Sequence, residues 1–146
     1  MTTEDIRSFS FVDIGSTKTK VMLPEKVVSC NVKNNSICFS TLLSRKLYDA
    51  GFKYFRMAYN QITEEIAFVL SKTDVDGMCI TLTEKRDKRR EFDVAPSNLS
   101  ANSKKMFDAL ITLLKLDRGS NFYLELSDNQ SKRDDLKFYT VSLTER

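Results

Sequence analysis

Five cations fall within six residues at Lys85-Arg86-Asp87-Lys88-Arg89-Arg90, the densest charged run in the chain. Ammonium and guanidinium groups at that spacing contact successive phosphates, and each contact releases condensed counterions. The chemistry on offer is salt-dependent binding of nucleic acid. Lys85, Arg86, Lys88, Arg89 and Arg90 are therefore the candidate nucleic-acid-binding residues, as phosphate contacts that position the protein rather than read bases. A solvated turn accounts for the same run, since Glu84, Asp87 and Glu91 neutralise part of it. Arg56, Lys72, Lys104, Lys105, Lys132 and Arg133 extend a basic surface if the fold brings them to one face.

Catalytic chemistry has fewer footholds. Glu64-Glu65 and Asp134-Asp135 are adjacent carboxylates in polar turns, without a partner that would raise a pKa for acid-base work. The chain contains no histidine, which removes His-dependent triads, His proton shuttles and the His-bearing zinc sites. Cys30, Cys38 and Cys79 are odd in number and form no C-x-x-C pair, so neither a disulfide framework nor a metal-ligand set is expected. The expectation is a non-enzymatic protein with no cofactor and no metal. Tyr48, Phe52, Tyr54, Phe55 and Tyr59 crowd one stretch. Exposed beside cations they would stack on unpaired bases, but aromatics this dense normally fill a core.

The elements that must position these residues follow from composition and pattern. The 146 residues carry a net charge of +3, with 41% hydrophobic and 29% charged residues and only four Gly and two Pro. Those values predict one compact domain over 1–146, with little linker or disorder. Met1–Arg7 is polar and no apolar run approaches a membrane span, so a cytoplasmic protein is expected, or a particle component drawn from a cytoplasmic pool.

Alternating runs predict strands at Ser8–Ile14, Thr19–Leu23 and Val27–Val32, forming a β extension over 1–33. Residues 34–72 then read as strand Ile37–Ser40, helix Thr41–Ala50 with Ser40 as N-cap and Gly51 as the left-handed C′ residue, and a hairpin of Lys53–Tyr59 and Glu65–Leu70. Residues 73–91 supply a linking strand, Met78–Thr83, and the basic turn. Residues 92–146 repeat the order: strand Phe92–Ala95, helix Ser103–Leu116 with Phe107, Leu110, Ile111 and Leu114 on one face, then strands Asn121–Ser127 and Lys137–Leu143. Ser97, Ser100 and Asn102 compete as caps, with Gly119 beyond the helix end. The expected fold class is α+β: two βαββ units in tandem, an internal pseudo-dimer, with an N-terminal β extension.

Two resemblances bear on function. Phe11-Val12-Asp13-Ile14-Gly15-Ser16-Thr17-Lys18-Thr19-Lys20-Val21 resembles the first phosphate-binding hairpin of the actin, hexokinase and heat-shock ATPase superfamily. That resemblance implies Asp13 holding Mg²⁺ through water and turn amides on phosphate. No second Asp-x-Gly strand and no Gly-Gly adenosine segment follows, so the turn at Asp13–Gly15 is read first as a β-turn. Residues 33–72 resemble the swapped-hairpin module of AbrB-type regulators and antitoxins, carried by Leu43, Leu47, Gly51, Ile66 and Val69. In that family two copies pair to bind DNA. The leading expectation is thus a non-enzymatic binding protein with nucleic acid as partner. A structural or assembly subunit, such as a phage or mobile-element accessory protein pairing with itself or with other proteins, is the alternative, and a nucleotide-binding module at Asp13–Gly15 is third.

Overall fold

Alternation of apolar and polar residues dominates the chain, and the strands it produces pair antiparallel throughout. The computed structural model describes residues 23–74, 77–86, 96–129 and 134–145. In chain order the elements are β1 (Val27–Asn31), β2 (Ser36–Cys38), α1 (Thr41–Ala50), β3 (Tyr54–Asn60), β4 (Glu65–Ser71), β5 (Ile80–Thr81), β6 (Thr83–Lys85), β7 (Asn98–Asn102), α2 (Lys104–Leu114), β8 (Phe122–Asn129) and β9 (Leu136–Thr144).

These strands form one sheet in the order β5-β3-β4-β9-β8-β1-β2-β7-β6. Its end strands, β5 and β6, are consecutive in the chain with only Leu82 between them. The sheet therefore curls until its ends meet in a nearly closed, barrel-like wall. Right-handed strand twist favours such curling, and closure removes the unpaired edges an open sheet would expose.

This corrects the expected fold class. The order strand, helix, hairpin does occur twice, but the strands do not pack as two βαββ units. β2 pairs with β7 and β4 with β9, so both stretches contribute to one mostly antiparallel sheet. β1, expected in an N-terminal extension, is central: it pairs with β8 on one side and β2 on the other. The reason is sequence-distant pairing, which local periodicity does not encode. Met78 is 74% exposed, and the expected Met78–Thr83 strand is instead two short pieces bent at Leu82. The strand preceding α2 is Asn98–Asn102. The strands expected at Ser8–Ile14 and Phe92–Ala95, most of the one expected at Thr19–Leu23, and the Asp13–Gly15 turn lie outside the described residues.

The helices obey local rules. Ser40 Oγ accepts from the Leu43 amide at 3.1 Å, and Gly51, at φ 89°, donates its amide to the carbonyls of Leu47 and Tyr48. A side chain at that φ is strained, which is why glycine ends α1. In α2 the N-cap is Ser103, whose Oγ accepts from the Met106 amide at 3.2 Å and whose carbonyl accepts from the Phe107 amide at 2.9 Å. Its left-handed cap is Lys115 at φ 58°, not Gly119.

Both helices turn their apolar faces into the same hydrophobic cluster as the inward sheet residues. Register aligns Phe55 with Leu70, and Met57 with Phe68 and Tyr139. Phe39, Phe55 and Phe68 meet edge-on, with centroids 6.1 and 5.0 Å apart, the arrangement that ring quadrupoles favour.

Candidate functional site

The basic run begins on β6, beside α1. Lys85 lies opposite Asn98 in the β6–β7 ladder, so the two side chains share a face. The Asn98 amide reaches α1, donating to the Phe39 carbonyl at 2.9 Å and to Thr41 Oγ1 at 3.5 Å. One residue beyond β6, the Arg86 guanidinium sits 5.7 Å from the centre of the Tyr48 ring and donates to its hydroxyl at 3.5 Å.

Thr41, Arg45 and Tyr48 are spaced by four and three residues, which puts them on one face of α1. Thr41 is tied to the strand position opposite Lys85, and Tyr48 to Arg86, so the lip formed by β6 runs along that helix face. Arg45 lies between the two ties and is exposed. The result is a surface of three cations around one exposed ring, Tyr48 being 37% exposed.

Glu84 tempers this surface. It accepts from Arg86 Nη2 at 2.8 Å. The Tyr48 hydroxyl first, and the Glu84 carboxylate second, hold the guanidinium proton even more firmly than usual. Arg86 is thus a fixed cation at any accessible pH, positioned by stacking as well as by charge.

Of the other sequence-selected residues, Lys88, Arg89, Arg90, Lys132 and Arg133 lie outside the described residues, as do Asp87 and Glu91. Arg56 lies by a separate groove with Val69 and Phe138, Lys72 lines a cleft beside Leu43, Lys46 and Ala50 of α1, and Lys104 and Lys105 open α2. The fold therefore does not gather these into one patch with Lys85. The crowded aromatics divide: Phe52 and Phe55 are buried, Tyr54 is half-buried, and Tyr48 and Tyr59 are exposed. Arg45 was not identified from sequence. Its only signal there is its spacing from Tyr48.

Nucleophilic chemistry finds no support in the thiols. Burial, reinforced by nearby Cys38, pushes the Cys30 thiol far out of the thiolate range. Burial likewise raises Cys38 and Cys79, and a thiol held protonated is a poor nucleophile. Among the described residues no group of three or more Cys, Asp or Glu is placed to hold a metal ion, and no helix is long and apolar enough to cross a membrane. Comparison with protein-family models, with curated proteins and with solved structures found no match to the chain.

Proposed function

We propose that this chain is a non-enzymatic nucleic-acid-binding protein that takes a single strand along the face of α1 and the lip of β6. The observation that carries this reading is the exposed Tyr48 ring under the Arg86 guanidinium, flanked by Arg45 and Lys85. Unpaired bases stack on such a ring while cations track the phosphates, and duplex bases present no face for stacking. Lys88, Arg89 and Arg90, the cations that continue the run in the sequence, support the same reading.

The test is fluorescence anisotropy with a labelled single strand of mixed sequence and its duplex, from 20 mM to 200 mM salt. Single strand should bind more tightly than duplex, with affinity falling steeply as salt rises. Tyr48→Ala should weaken binding by about 1–3 kcal/mol if one base stacks there, and Lys85→Gln with Arg86→Gln should flatten the salt slope. Absence of binding at low salt, or a parent-like affinity in Tyr48→Ala, would sink the proposal.

A second reading, the assembly subunit, is favoured by a different surface. Ile62 is 94% exposed at the β3–β4 turn, beside Tyr59 and a shallow depression floored by Ala58, Ala67 and Thr140. Light scattering of the parent and of Ile62→Lys separates the two: an oligomer dispersed by that change supports assembly, and a monomer in both removes it.

A further inference from the structure

A second cluster of cations lies away from the Tyr48 surface, in a cleft of about 700 Å³ that runs beside Leu43, Lys46 and Ala50 of α1 to Phe52. Two of its four lysines are already paired. Lys46 Nζ lies 2.7 Å from Glu25, and Lys26 Nζ lies 2.6 Å from Asp128. Lys72 and Lys137 differ. Among the described residues neither makes an ion pair, yet both reach the same ring, with Nζ at 5.3 and 5.8 Å from the centre of Phe52. Asp134 is the one further carboxylate lining this cleft.

The gathering of these two ammonium groups is dictated by the fold. Lys137 stands opposite Leu70 in the β4–β9 ladder. Lys72 follows the end of β4, and its amide donates to the Asp135 carbonyl at 3.2 Å. Phe52, 4% exposed, is fixed between α1 and β3 by its backbone amide, which donates a hydrogen bond to the Leu47 carbonyl at 2.9 Å. Two like charges on one ring, no more than about 11 Å apart, repel each other, and the attraction of each to a ring face is weak. The repulsion becomes attraction if a doubly charged anion accepts from both, because hydrogen bonds between ionised partners are the strong ones.

We infer that this cleft is a binding site for a phosphate monoester, with Lys72 and Lys137 as the phosphate ligands. Its volume falls within the range of small-ligand sites and accommodates an organic group attached to the phosphate. A free mononucleotide and the 5′-phosphorylated end of a strand present the same chemistry. The site does not depend on the Tyr48 surface, so either can fail without the other.

The experiment is calorimetric titration at 50 mM salt with inorganic phosphate, adenosine 5′-monophosphate, adenosine, and a hexanucleotide with or without a 5′-phosphate. The hexanucleotides are titrated into the Tyr48→Ala, Arg86→Gln protein. Phosphate and the monophosphate should bind saturably while adenosine does not. Lys72→Gln and Lys137→Gln should each weaken the monophosphate about tenfold or more, and Lys33→Gln, in the distant β1–β2 turn, should not. A tighter phosphorylated hexanucleotide identifies strand ends as the ligand, and a tighter monophosphate identifies free nucleotide. A structural role is excluded by melting: removing a repelling ammonium should leave the melting temperature of Lys137→Gln at or above the parent value. Adenosine binding as well as its monophosphate, phosphate binding unchanged when Lys72→Gln and Lys137→Gln are combined, or no phosphate binding at all would overturn the assignment.

Discussion

The backbone amide of Leu82 donates to the carbonyl of Lys53 at 2.8 Å, at the point where the chain leaves the β3 ladder and joins β7. One extended segment, Ile80–Lys85, thereby serves both ends of the sheet, and the buried Leu82 side chain anchors its bend in the core. The lip that carries Lys85 and Arg86 begins at the next residue, Thr83. Closure of the wall and placement of the basic run are the same structural event.

Leu82→Ala should therefore cost about 2–5 kcal/mol of unfolding free energy, the range for truncating a buried leucine. Ile62→Ala, at a 94% exposed position, should change stability by less than about 0.5 kcal/mol. Urea unfolding of both checks this, and equal midpoints would show that the seam at Leu82 does not hold the wall.

What was legible in the sequence was local. The bounds of α1 are those expected because Ser40 and Gly51 act within one turn, and the β3–β4 hairpin follows from alternation and a polar turn. β7 was not legible. Asn98–Asn102 buries only Leu99 and Ala101, too few apolar residues to mark a strand, and it exists because β2 and β6 pair with it. For the same reason charge density revealed Lys85 and Arg86, while Tyr48 became relevant only through a contact spanning 38 residues. Lys72 and Lys137 are brought together by the β4–β9 ladder, which no spacing encodes.

Ser44 shows how much such non-local pairing demands of one polar group. It is fully buried in α1, accepts from the Leu99 amide at 2.9 Å and donates to the Phe39 carbonyl at 3.4 Å. Ser44→Ala should destabilise by about 1–3 kcal/mol, because it strands a buried backbone donor. Hydrogen exchange at Leu99 should accelerate in the variant. A parent-like exchange rate there would mean that the amide finds another acceptor.

Stability should also fall at alkaline pH. Burial first, then the carboxylates of Asp128 and Glu25, push the Tyr139 hydroxyl up to about 12. A group whose folded pKa lies above its unfolded value of about 10 favours folding below pH 10 and loses that contribution as pH rises through 12. Unfolding free energy should drop by about 2 kcal/mol across that window, and Tyr139→Phe should flatten the drop. A Tyr139→Phe protein with the same alkaline slope would assign the loss to other groups.

Glu84 offers the sharpest separation between a phosphate-binding lip and a solvated turn. Its carboxylate accepts from Arg86 at 2.8 Å with both side chains exposed, so the pair contributes at most about 1 kcal/mol to stability. In a solvated turn Glu84→Gln would have no further consequence. In a nucleic-acid interface the carboxylate competes with phosphate for the guanidinium and repels the approaching strand. Glu84→Gln should then raise single-strand affinity several-fold at 20 mM salt, with the gain shrinking toward 200 mM as screening shortens to about 10 Å or less. Combining it with Arg86→Gln should erase the gain, since the competition it relieves no longer exists. Anisotropy titrations of the four proteins at both salts measure this, and an unchanged or weaker affinity in Glu84→Gln would place the strand elsewhere on the barrel.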